Sequence, residues 1–294
     1  MYRVYYLDLA AIVILSAIFT ALIFRRMYRG RENRAFVKYV VLLLVLATAD
    51  VLRIAPLYWL RPLSYSVAFR TICCSAYTFL NLVNYAVYIY MVGKMTGTFK
   101  KITTTPVLAV LFGLPVAVSA VMIVSNLFTQ KLFSYERISE FDIMYHRGPL
   151  MWVMVAAGYY YAAFAFVHII ICFFRKRLDK VRFAALMVVF PINIIFFNIQ
   201  SAHPNVVVQV FGYATTALIL SFYVISPEEY LDMETGAKSY TAFRRTIGNI
   251  FSSRDDAFVI FGRLQNLSSI RSALGYETYL SLLRDVSDSI YSMM

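Results

Sequence analysis

Charged residues make up only 15% of this sequence, against 61% hydrophobic and 17% aromatic. That balance excludes an ordinary water-soluble protein. Cysteine is almost missing: Cys73, Cys74 and Cys172 all sit inside apolar runs. They offer neither a paired extracellular framework nor a Cys/His metal spacing, and read as small packing residues. Acidic residues are scarce over most of the chain. Residues 1–226 carry 21 Lys/Arg against 7 Asp/Glu, whereas residues 227–294 carry 7 against 9. The net charge of +12 therefore belongs to the apolar part, and the more soluble part has no basic face for nucleic acid. A small-residue cleavage site is also lacking. The first apolar run ends in Arg25-Arg26, so it is expected to be a retained helix and not a signal peptide. No cofactor is expected.

What the sequence has is long apolar runs. About 20 mostly apolar residues span a bilayer as a helix, and runs of that kind lie near 4–24, 37–57, 67–92, 104–125, 150–174, 182–200 and 205–226. The expected fold is a membrane all-α bundle of seven helices over 1–226, with the lipid bilayer as its surroundings. A second, partial α/β segment follows over 227–294. Pro115 and Pro191 fall inside the fourth and sixth runs, where neighbouring helices can satisfy the carbonyl that proline frees.

Loop charge sets an expected orientation. Arg25, Arg26, Arg29, Arg31, Arg34 and Lys38 share one side with Lys94, Lys100, Lys101, Arg175, Lys176, Arg177, Lys180 and Arg182. The opposite loops hold few cations, so the N-terminus is expected outside and the tail in the cytoplasm.

Ionisable and amide side chains at depth need partners or a function. Asp50 and Arg53 lie one turn apart on the second run and share a face, with Asp50 roughly 20 Å into a core about 30 Å thick. Arg70, Tyr160, Asn193, Asn198 and Gln209 fall at similar depth, as do Tyr159 and Tyr161. Together they outline an outward pocket for an extracellular or membrane ligand. The plainer reading is charge neutralisation and hydrogen bonding between helices. Asn81, Asn84 and His168 lie deeper and read as residues that join helices.

Beyond Ser226 the pattern changes. The stretch Asp232–Phe243 reads D-M-E-T-G-A-K-S-Y-T-A-F, a polar turn opening a helix near 240–251 with Phe243, Ile247, Ile250 and Phe251 on one face. A short apolar strand is expected at 257–261, then helices near 266–274, closed by Gly275, and 277–291. Asp232, Thr235, Gly236, Ala242 and Phe243, with the elements that follow, resemble the opening of the GGDEF family, the diguanylate cyclase domains of bacterial cyclic di-GMP signalling. The resemblance covers residues 230–291. It implies a seven-helix sensor in the bacterial cytoplasmic membrane that relays a signal to this domain, with homodimerisation, and with a continuation through the rest of the domain toward a phosphodiesterase (EAL) domain.

The family's active-site residues are replaced. Its metal-ligating Asp falls on Arg263 and the next Asp on Gln265. Its guanine-reading Asn and Asp fall on Arg271 and Ser272, and its His on Tyr276. A guanidinium where a magnesium ligand is needed removes the charge stabilisation on which phosphoryl transfer depends, so the segment is expected to be non-catalytic. The alternative is a transporter or channel-like seven-helix protein with a regulatory tail, although no internal repeat is visible. A retinal pump is excluded by the absence of lysine from 205–226.

The orientation has a direct check. In a background lacking Cys73, Cys74 and Cys172, an impermeant thiol reagent applied from outside should label a cysteine at Ser201 and spare one at Ser252. The reverse pattern contradicts it.

Overall fold

A computed structural model describes residues 6–24, 31–54, 66–139, 142–178, 180–203, 206–223 and 264–293, together with Asp232, Ala237, Ser239, Tyr240, Phe243, Arg244, Ile247 and Gly262. The chain divides into two compact units, Met1–Ile225 and Ser226–Met294.

The first unit contains α1 (Tyr6–Phe24), α2 (Arg31–Ile54), α3 (Val67–Met95), α4 (Phe99–Thr104), α5 (Pro106–Thr129), β1 (Phe133–Ser139), β2 (Asp142–Arg147), α6 (Met151–Phe174), α7 (Lys180–Ala202) and α8 (Gln209–Tyr223). Six of these, α1, α2, α3, α5, α6 and α7, are long and apolar enough to cross a membrane. The seventh expected span shows, among the described residues, only the 15-residue α8. It is preceded by Val206–Val208 outside any helix. Pro106 occupies the first turn of α5, where its missing N–H costs nothing. Pro115 and Pro191 stay within continuous helices.

Helix contacts close a ring. Helix α1 packs on α2 and α8, α8 on α7, α7 on α6, α6 on α3, and α3 back on α2. Leu15, Tyr39, Leu43, Ile89, Tyr161, Val189 and Tyr213 are buried members of one continuous core inside it. Helix α5 lies against α3 and α4 on the outside of the ring. Its remaining face carries exposed Val107, Val110, Leu114, Val118 and Val121, the kind of surface that hydrocarbon solvates well. Glycine lets α7 and α8 approach closely, since a Cβ on Gly212 would lie 2.6 Å from the Phe196 ring.

The antiparallel hairpin β1–β2 was not among the sequence expectations. It pairs Phe133 with Arg147, Tyr135 with Tyr145, and Arg137 with Ile143. Side chains alternate across a strand, so Phe133 and Tyr135 face inward while Glu136 stays exposed. Phe133 stacks on Tyr145, and Tyr135 meets both rings edge to face, with ring centroids 5.5–6.3 Å apart. With Cys74, Ile123 and Met154 they form a second apolar cluster at one end of the bundle, which we call the hairpin end.

One side chain anchors the hairpin. Asn126, in the last turn of α5, accepts from Leu132 N (2.8 Å) and Phe133 N (3.4 Å) and donates to Phe133 O (3.1 Å). Gln130 ends α5 in the left-handed conformation, its N–H returning to Asn126 O at 3.0 Å. Backbone crowding fixes the other root: a Cβ on Gly148 would meet Lys131 O at 2.1 Å.

In the second unit, α9 (Leu267–Leu274) and α10 (Tyr276–Met293) lie close to where the sequence places helices. Gly275 separates them at φ +75°. None of the α9 residues is buried, and Leu274 of the expected apolar set is exposed. Asp232 N donates to Ala237 O at 2.8 Å across the polar turn. The expected strand at 257–261 and residues Thr235, Gly236, Ala242, Ile250, Phe251 and Arg263 lie outside the described residues.

Because Asn126 satisfies buried backbone groups, Asn126→Ala should lower stability by about 1–3 kcal/mol. Asn126→Asp, which keeps the acceptor, should fall between it and wild type. Thermal unfolding of the purified protein in detergent checks this, and equal midpoints for all three contradict it.

Candidate functional site: a polar cavity at the hairpin end

Asp50 is fully buried on α2. One of its oxygens, Oδ1, accepts from Arg53 Nε at 2.9 Å and also from Arg53 Nη2. The i,i+3 spacing places both side chains on one helical face, within reach of each other. The guanidinium carbon of Arg53 lies 4.4 Å from the centre of the Tyr77 ring on α3, a cation–π contact that strengthens when water is excluded. Arg70 is also buried, and its Nη1 donates to the Arg53 carbonyl. Three of the residues expected together are therefore together.

Gln209 is the fourth. It opens α8, and its Nε2 donates to Tyr213 Oη at 2.6 Å and to Tyr85 Oη at 3.1 Å. Its Oε1 accepts from Tyr77 Oη at 3.3 Å and from Asn81 Nδ2 at 3.4 Å. Tyr213 Oη donates to Asn81 Oδ1 at 2.8 Å. Gln200 of α7 completes the network. Its Oε1 accepts from Val208 N (3.0 Å) and Gln209 N (2.9 Å), meeting donors that a helix start leaves unpaired. Its Nε2 donates to Tyr77 Oη at 2.8 Å. A buried polar network satisfied to this degree fixes the relative positions of α3, α7 and α8.

These groups surround a cavity of about 90 Å³. Arg53, Tyr77, Asn81, Gln200 and Gln209 form its polar wall. Leu82, Met151, Met154, Val155 and Phe197 form an apolar one, and Tyr145 and Arg147 of the hairpin contribute from β2. Arg147 Nη1 donates to Ser201 O at 2.7 Å, tying the hairpin to the end of α7. Tyr135, outside the helices, is pushed above the usual phenol range mainly by burial, with Cys74 adding and Arg53 opposing. It stays neutral and protonated at any ordinary pH.

Other expected site residues lie elsewhere. Tyr160 donates to Leu111 O (3.0 Å) and joins α6 to α5, while Asn198 is exposed and accepts from Tyr159. Neither lines the cavity. Asn193 accepts from Thr216 Oγ1 at 3.1 Å and lines a smaller cavity of about 40 Å³ deeper in the bundle, with Tyr39, Asn84 and Tyr88. Tyr85 and Phe197 line both cavities, their rings edge to face at 6.3 Å. Tyr161 donates to Phe112 O at 2.6 Å. His168 shares a hydrogen bond of 2.9 Å with Thr98, joining α6 to the loop before α4.

Sequence reasoning missed several members. Asn81, read there as a residue joining helices away from the pocket, is part of the cavity wall. Asp8 was not singled out, although it is a carboxylate in the first apolar run. It is fully buried, neither oxygen has a hydrogen-bond partner among the described residues, and it lies within electrostatic range of Asp50 and Arg53. Gln200 ends its run and Arg147 lies in a segment read as loop.

Of the positions onto which the resemblance places the family's site residues, Gln265 is exposed. Arg271 stacks over Tyr276 at 5.1 Å, and Ser272 donates to Ser268 O at 3.0 Å within α9. Among the described residues no group of three His, Cys, Asp or Glu side chains could hold a metal ion.

Removing one partner of a buried ion pair strands the other and costs about 3–5 kcal/mol. Asp50→Ala should therefore destabilise more than Asp50→Ala combined with Arg53→Ala, as read by thermal unfolding in detergent. Equal loss in the single and double variants contradicts the pairing. In comparisons with protein-family models, curated proteins and solved structures, none matches this chain.

Proposed function

We propose that residues 1–226 form a membrane-embedded sensor that binds a ligand in the hairpin-end cavity and relays its presence through α8 to the C-terminal unit. In this reading the protein lies in a bacterial cytoplasmic membrane as seven spans, with the hairpin end outside and residues 227–294 in the cytoplasm. The C-terminal unit acts as a non-catalytic GGDEF-like module that works by association, as a homodimer or on a downstream output domain. The carrying observation is the double position of Gln209. It is a wall of the cavity and the first residue of α8, the last helix before the second unit in the chain. A ligand that competes for its hydrogen bonds acts on that helix directly, and such differential contact is what any population shift requires.

The smaller cavity beyond Tyr85 and Phe197 supports the second reading, a transporter. Two cavities in series with aromatic rings between them could pass a solute along the bundle.

The relay is tested by amide hydrogen exchange on the full chain in lipid nanodiscs. Gln209→Leu, one heavy atom shorter than glutamine and unable to hydrogen-bond, should change exchange in residues 264–293 at least threefold. Exchange that changes around the cavity and stays identical in 264–293 contradicts the relay. The same preparation, given GTP and magnesium, should form no cyclic di-GMP.

A further inference from the structure

The shape and charge of the hairpin-end cavity define the chemistry of its occupant, on the reading that this cavity is the sensor's binding site. We infer that it takes a small organic monoanion, a monocarboxylate of roughly six to nine non-hydrogen atoms.

Size gives the first limit. A water-sized group needs about 10–15 Å³ of cavity, so about 90 Å³ holds roughly six to nine of them.

Charge gives the second. Two guanidiniums line the cavity, Arg53 from α2 and Arg147 from β2, and among the described residues no carboxylate lines it. Asp50 sits behind Arg53 and engages Nε and Nη2 through Oδ1. That pairing neutralises one of the two cations and leaves Nη1 of Arg53 as the donor not committed to Asp50. The wall thus carries one net positive charge, which matches a singly charged ligand and leaves a dianion such as phosphate half-compensated. Guanidinium forks suit the planar, two-oxygen geometry of a carboxylate.

Wall chemistry gives the third. Asn81, Gln200, Gln209 and Tyr77 can reorganise their mutual hydrogen bonds around an anionic head. Leu82, Met151, Met154, Val155 and Phe197 add apolar surface to the same lining. A compact inorganic anion would leave that surface unfilled, whereas a short aliphatic or aromatic acid covers it while its carboxylate meets the arginines. Each buried CH₂ of such a tail adds affinity that a hydrophilic anion lacks.

The test uses benzoate, with nine non-hydrogen atoms, and butyrate, with six, on the full chain in lipid nanodiscs. Radiolabelled benzoate should bind saturably and be displaced by butyrate. Benzamide, equal in size but neutral, should compete at least tenfold more weakly, and inorganic phosphate should not compete. Arg147→Gln should weaken benzoate binding at least tenfold. Arg147 is an exposed hairpin residue, so this variant retains the buried pair. Benzamide competing as well as benzoate, benzoate binding unchanged in Arg147→Gln, or no saturable benzoate binding overturns the inference. Hydrogen exchange on the same samples separates it from the sensor reading. Benzoate binding as described with no change in residues 264–293 supports the monocarboxylate and removes the relay. Absence of benzoate binding while Gln209→Leu still alters residues 264–293 keeps the relay and removes the monocarboxylate.

Discussion

A carboxylate buried in an apolar helix bundle is strongly destabilising unless a cation and hydrogen-bond donors meet it, and Asp50 imposes that condition on the whole hairpin end. Arg53 meets its Oδ1 from the same helix, while Oδ2 has no hydrogen-bond partner among the described residues. The guanidinium then needs surroundings that tolerate a cation, which the Tyr77 face supplies at 4.4 Å. The Arg53 carbonyl in turn receives Arg70 from the start of α3. Helices α2 and α3 are thus joined by electrostatics at one end, and their contact is the most extensive in the bundle. Asp8 adds a second buried carboxylate within range of the pair, so α1 shares the same local balance of charge.

From Tyr77 the constraint passes to amides. Gln200, Gln209, Asn81, Tyr85 and Tyr213 form a hydrogen-bonded set in which one α7 side chain meets the N–H groups of Val208 and Gln209 at the start of α8. In hydrocarbon such groups must find partners within the protein. Their clustering therefore fixes where α8 begins, and the space left between them and the Met151–Val155 wall is the cavity. Cavity and helix start are consequences of one network.

Long apolar runs made the helices legible, because a span needs about 20 apolar residues and few other patterns supply them. The Asp50–Arg53 pair was legible for a similar reason: spacing on one helix determines who can meet. Depth alone was a poorer guide for Tyr160 and Asn198. Residues at equal depth can face the bundle interior or its outside, and the sequence alone did not separate the two. The hairpin escaped notice because its inward residues, Phe133, Tyr135 and Tyr145, alternate over too few positions to stand out beside the apolar runs. The alternation F-S-Y-E was nonetheless there, and the pairing of Arg147 with Phe133 brings Arg147 into the cavity wall. Asp8 was readable too, as an ionisable residue within the first run. In the second unit Gly275 marked the break between α9 and α10 through the conformation it alone adopts readily.

The central claim is that Asp50 and Arg53 are in direct contact inside the bundle. Solid-state NMR of the protein in lipid, with ¹⁵N-labelled arginine and ¹³C-labelled aspartate, measures it through the dipolar coupling between guanidinium nitrogen and carboxylate carbon. A strong coupling that disappears in Arg53→Lys while the other arginine signals persist is the predicted result. Well-resolved Asp50 and Arg53 signals with no coupling between them would contradict the account.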